Sequence, residues 1–182
     1  MRELSLNILD IAQNSIAADA SLITIAVEED SAADRLKIRI EDNGRGMTPE
    51  QVAKVSDPFY TTRTTRKVGM GIPLFRMAAE QAGGSLSIVS QLGEGTCVTA
   101  DFVLSSIDRM PLGDIAGTMA ALIRLNPQLD FLYIRRRDDR REELDTRQLR
   151  QVLQGVPLDT PEVMQWVEGA LQEIGETVGG QA

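Results

Sequence analysis

The chain contains no histidine, a single cysteine and no apolar run approaching 18 residues. Without histidine it cannot carry a Ser-His-Asp triad, a histidine metal cluster or a phosphoaccepting histidine of its own, so any histidine chemistry must come from a partner. Cys97 has no intramolecular partner and no imidazole to activate it, and reads as a small apolar residue in a strand. The missing apolar run excludes a membrane-spanning helix, and residues 1–14 carry charge and amphipathic spacing where a signal peptide has its apolar core. A cytoplasmic protein with no membrane insertion is expected. Positive charge is also short: 19 Lys and Arg against 27 Asp and Glu give a net charge of −8. Phosphate-backbone affinity needs clustered cations, so nucleic acid is not an expected partner.

What is present suffices for a globular fold. The 182 residues are 42% hydrophobic, enough for one full domain and a smaller appendage. Leu4, Ile8, Ile11, Ala12 and Ile16 recur at helical spacing, while Asn7, Asp10 and Asn14 form a polar stripe on the same helix. Residues 22–27 and 36–40 read as neighbouring antiparallel strands. Thr48 caps a short helix that begins at Pro49. Residues 56–71 form a long basic loop with Arg63, Arg66 and Lys67, of the kind that is functional or mobile. A helix over 71–82 stops at Gly83-Gly84, and strands follow over 86–89 and 96–104. The first unit closes near Ser105. Residues 106–182 are expected to form a second, small α/β unit of unknown role. It would hold a helix over 112–125, strands over 131–136 and 142–145, and helices over 146–153 and 161–178.

Three separated features call for one ligand. Asn14 offers a neutral oxygen suited to Mg²⁺, which takes its other ligands from water and substrate phosphates, and a carboxylate one turn earlier, Asp10, can orient a water or hydroxyl. Gly69 and Gly71 lack a Cβ and let backbone N–H groups reach phosphate oxygens at the start of a helix. Asp42 accepts a hydrogen bond from an exocyclic amine such as adenine N6, while Gly44 and Gly46 leave room for a base against the backbone. Together these spell a purine nucleotide with magnesium.

The order of these segments resembles the GHKL superfamily of gyrase-type ATPases, heat-shock chaperones, histidine kinases and MutL-type repair ATPases, over residues 3–104. Residues 9–15 resemble the N box, residues 42–47 (Asp42 to Met47) the first glycine box, and residues 57–63, with Phe59, Thr62 and Arg63, the phenylalanine box of histidine kinases. Lys67, Val68, Gly69, Met70, Gly71 and Ile72 resemble the second glycine box, and Gly93-Glu94-Gly95-Thr96 the last, whose threonine helps hold adenine through Asp42 and water. The resemblance implies an α+β, Bergerat-type two-layer sandwich with helices on one face of a mixed sheet, and ATP with Mg²⁺ under a flexible lid. It further implies a signalling kinase or phosphotransfer module acting in trans on a protein partner. The alternative is an ATP-gated switch or slow ATPase that regulates a partner complex without phosphotransfer.

Two positions depart from the pattern. Asp10 stands where hydrolysing members carry glutamate and many histidine kinases asparagine; Lys67 stands where kinases usually place another glycine. Phe59 is expected to anchor the lid by packing, and at least one of Arg63, Arg66 and Lys67 to meet phosphate. The run Arg135–Arg141 reads as a solvated hairpin, and Trp166, with Val163, Val167, Ala170, Leu171 and Ile174, as core or a homodimer interface.

Overall fold

A computed structural model describes residues 3–57 and 70–180 of the chain. Helix α1 (Leu4–Ala17) leads into strands β1 (Leu22–Asp30) and β2 (Arg35–Asp42), then the short helix α2 (Pro49–Val55). Helix α3 (Gly71–Gln81) is followed by β3 (Ser85–Gln91) and β4 (Gly95–Val103). The remainder is α4 (Ile115–Leu125), β5 (Asp130–Arg137), β6 (Arg140–Asp145), α5 (Thr146–Leu153) and α6 (Pro161–Gly179).

All six strands belong to one sheet, in the order β3-β4-β2-β1-β5-β6. The β1–β5 pair is parallel and the other four pairs are antiparallel. The two-residue period divides the strands into faces. Ile23, Ile25 and Val27 of β1, Leu36, Ile38 and Ile40 of β2, Val98, Ala100 and Phe102 of β4, and Phe131 and Tyr133 of β5 are buried on one face. Residues of α1, α3, α4 and α6, among them Ile8, Phe75, Met119 and Val167, complete the same core. The opposite face carries Lys37, Arg39 and Glu41 of β2 beside Thr99 and Asp101 of β4.

Residues 106–180 therefore do not stand apart. They add β5 and β6 to the sheet and α4 and α6 to its helical layer, so the expected boundary near Ser105 falls inside a continuous core. The physical reason is the β1 edge: without β5, β1 would present unpaired backbone groups along a strand whose neighbours are fully buried. A second tie joins the two halves. Glu3, the residue before α1, makes no side-chain cap, and the helix's free N–H groups at Leu4 and Ser5 donate instead to the carbonyls of Pro111 (2.9 Å) and Leu112 (2.8 Å).

The run Arg135–Arg141 forms the β5–β6 hairpin but is not wholly solvated. Arg135 is buried and bonded to buried Glu29 of β1 at 2.5 Å, with Arg137 also on Glu29 at 3.5 Å. Val163, Val167, Leu171 and Ile174 enter the core as expected, whereas Trp166 points outward at 58% exposure. Cys97 lies half-buried in β4.

Candidate functional site

The site is built at one end of the sheet, where α1, the β2 terminus and the β3–β4 turn converge. The segment after β2 owes its position to its own side chains. Asn43 Oδ1 accepts from the N–H groups of Ser21 and Leu22, which fastens it to the start of β1. Arg45 Nη2 donates to the Ala17 carbonyl at the end of α1, a cation placed where the helix dipole favours one. Gly46 adopts φ +68°, and a Cβ there would lie 2.0 Å from the Gln91 carbonyl oxygen. Gly95 adopts φ +134°, with its missing Cβ 1.9 Å from the Asp42 carbonyl oxygen. Gly44 would meet the Ala18 carbonyl oxygen at 2.6 Å. These glycines are thus required by backbone packing within the protein, a reason independent of any ligand. Thr48 caps α2 by a reciprocal exchange with Gln51, as its spacing before Pro49 predicts.

Asp42 closes β2 and is held from two sides. One carboxylate oxygen accepts from Ser15 Oγ of α1 at 2.5 Å and the other from the Gly44 N–H at 2.9 Å. Each oxygen keeps a lone pair for a further donor. Thr96 is its direct partner across the β2–β4 ladder, and the Thr96 hydroxyl lies 2.8 Å from Ser90 Oγ, which also accepts from the Met47 N–H. Ser15 and Ser90 bond to the expected site residues without having been singled out in the sequence, because a hydroxyl beside Asn14 or in a strand has no spacing signature of its own. A cavity of about 210 Å³ opens at this rim, lined in part by Asp42, Ser90, Glu94 and Thr96.

Asp10 and Asn14 sit on α1, one turn apart, and the side chain of neither makes a hydrogen bond or ion pair among the described residues. Partial burial pushes the Asp10 carboxyl above the ordinary aspartate range. Gly71, the first residue of α3, lies against this helix: a Cβ there would come within 3.2 Å of Asp10 Cβ and 3.7 Å of Ile11 Cδ1. The first residue of α3 and Asp10 of α1 are therefore adjacent. Met70 precedes α3 and is half-exposed, while Ile72 is buried in the core and contributes packing. Phe59, Thr62, Arg63, Lys67, Val68 and Gly69 lie outside the described residues.

The donor set suits the groups expected of it. No trio of His, Cys, Asp or Glu that could hold a metal ion occurs among the described residues, so a cation here needs oxygens from its substrate, as Mg²⁺ on a nucleotide has. Asn14 supplies one free neutral oxygen, and Asp42 supplies a fixed acceptor of the kind an exocyclic amine needs.

Residues 1–106 match the family described as histidine kinase-, DNA gyrase B- and HSP90-like ATPase. The chain belongs to this family. As a histidine-kinase-like ATPase domain, it is similar to the sensor protein kinase FleS of Pseudomonas aeruginosa, 34% identical over 108 residues, which are 59% of this chain and 26% of that protein. It is similar also to the sensor histidine kinase ZraS of Salmonella typhimurium, 32% identical over 93 residues, 50% of this chain and 20% of that protein. The sensor protein SrrB of Staphylococcus aureus is 40% identical over 79 residues, 41% of this chain and 13% of that protein. The chain thus spans about a quarter or less of the relatives it matches. Among solved structures, the N-terminal domain of a DNA repair protein superposes with a TM-score of 0.56 at 14% identity, over 79% of this chain and 52% of that one, a likeness of fold. The mixed sheet with its helical layer is the Bergerat α+β architecture of this family, and ATP binding is its shared property. No described helix is long and apolar enough to cross a membrane.

Proposed function

We propose that the protein binds Mg-ATP at the α1–α3 end of the sheet and transfers the terminal phosphoryl group, in trans, to a partner protein in the cytoplasm. The observation that carries this reading is the pair of uncommitted side chains one turn apart on α1, Asp10 and Asn14, with the first residue of α3 packed against Asp10. Asn14 would hold the cation, Gly69 to Gly71 and one of Arg63, Arg66 or Lys67 the phosphates, and Asp42 with Thr96 the adenine amino group. Met47 borders the base, and Phe59, Thr62 and Val68 belong to the lid segment. Magnesium held at Asn14 would supply positive charge to the phosphates and to the leaving ADP. Asp10, its carboxyl raised above the ordinary aspartate range by partial burial, accepts the proton of the attacking acceptor group. The bond from the terminal phosphorus to ADP breaks, a bond to the acceptor forms, and the acceptor's proton ends on Asp10.

A second reading, an ATP-gated switch or slow ATPase acting on a partner or a second copy of the chain, is favoured by the bonds from α1 to Pro111 and Leu112, which connect the site helix to the C-terminal half. Incubation with γ-labelled ATP and candidate partners separates the two. Label on a partner is the outcome expected for transfer, free phosphate alone or unaltered ATP points to the switch, and no ATP binding refutes both.

A further inference from the structure

Asn7 is fully buried in α1, and neither Nδ2 nor Oδ1 of its carboxamide has a hydrogen-bond partner. Buried amides are almost always satisfied, so an orphaned one marks a place where packing has yielded to another requirement. Its position says which. At about 100° per residue, Asn7 lies within about 20° of Asn14 and 60° of Asp10 around the helix axis. Gly71 of α3 rests on Asp10 and Ile11, which flank that line, so Asn7 lies on the same α1–α3 seam, one turn further from the end of α1 that bears Asn14. Side chains three apart on a helix have Cβ atoms about 5–6 Å from each other, within the span of a carboxamide-to-carboxylate hydrogen bond.

We infer that Asn7 is a positioning residue: with nucleotide bound, its Nδ2 donates to the Asp10 carboxylate and holds that group toward the reacting phosphate. This rests on the reading of Asp10 as proton acceptor. Asn7 itself touches no substrate. Its Oδ1 and Nδ2 are arranged as in any carboxamide, so the donor turns to Asp10 by rotation about the side-chain bonds, with no shift of α1.

The test uses the full chain carrying Asn7→Leu, which keeps the branching and heavy-atom count of the side chain, beside Asp10→Asn and the double variant. Thermal unfolding without nucleotide, Mg-ATP affinity by calorimetry, and kcat and KM for turnover of γ-labelled ATP in the presence of the candidate partners, counted as label on a partner or as free phosphate, are measured. Asn7→Leu is expected to raise Tm by about 3–6 °C, because an unsatisfied amide is removed from the interior. Affinity and KM stay within about twofold while kcat falls at least about tenfold, and the double variant is no slower than Asp10→Asn alone. A wild-type kcat in Asn7→Leu, with Asp10→Asn slow, overturns the inference and leaves the Asp10 reading standing. A lower Tm with affinity and rate falling together assigns Asn7 to packing and also overturns it. Full activity in Asp10→Asn, or no turnover of bound ATP by the wild type, either to a partner or to free phosphate, removes the Asp10 reading and this inference with it.

Discussion

Asp42, proposed above to recognise the adenine, is a carboxylate held in place by the protein itself. Ser15 and Gly44 each occupy one oxygen, so the group arrives already oriented and its remaining lone pairs have fixed directions. Asp42→Asn replaces one acceptor oxygen by a donor and is expected to lower ATP affinity about 10- to 100-fold, the equivalent of one charged hydrogen bond. Calorimetry against ATP and GTP checks this, since an unchanged preference between the two bases contradicts it. Asp10 behaves in the opposite sense to Asp145. Burial raises the Asp10 carboxyl above its unfolded value, so its contribution to stability is full below the unfolded pKa and is lost as pH rises through the folded one. Asp145 is held low, first by its hydrogen bond from Arg147, so its contribution is present above the unfolded pKa and is lost as pH falls through the folded one. Melting curves of Asp10→Asn at pH 7 are therefore expected to show a Tm equal to or above that of the wild type, whereas Asp145→Asn lowers it. The carboxamide-carboxylate stripe was legible in the sequence because helical periodicity displays it. Ser15, one residue further on, was not, because its role arises only where α1 crosses the end of β2, 27 residues away in the chain.

At the scale of elements, boundaries followed from local chemistry. Thr48-Pro49 begins α2, Gly83-Gly84 ends α3, and the alternation in residues 36–40 marks β2 and its buried face. The polar character of the β5–β6 run misled in part, since Arg135 draws its partner, Glu29, from a strand that becomes its neighbour only after folding. No sequence pattern announces a parallel pairing more than 100 residues apart. The β2–β4 rim gives a direct prediction. Gly95→Ala places a methyl group where the Asp42 carbonyl already lies, at a φ that side chains avoid, and is expected to cost about 2–3 kcal/mol. Denaturant unfolding reads this loss, and because the clash falls on the Asp42 backbone, nucleotide affinity should fall with it. Gly93, also with positive φ but with open space around its Cβ direction, serves as the control, where alanine costs distinctly less.

For the molecule as a whole, the sheet and the core run across the division that the sequence suggests. Pro111 and the change of pattern near Ser105 gave grounds for two units, and local signals cannot report that β5 completes the β1 edge. One shared core predicts one cooperative transition. Calorimetric melting of the full chain should show a single peak, and a fragment ending at Ser105 should lose its sharp transition, because Ile23, Ile25 and Val27 would then border an open edge and α1 would lose the carbonyls over its first turn. Two resolved peaks, or a fragment that melts like the parent, would restore the two-unit view.

The carbonyls of Pro111 and Leu112 act on α1 as a buckle does on a strap. Anything that draws them aside lets the first turn unwind, and the loosening propagates along the same rod that carries Asp10 and Asn14. Thermodynamic reciprocity then requires that tightening the far end of the rod grip the 111–112 segment more firmly, so that the two ends of α1 report on each other without any residue travelling between them.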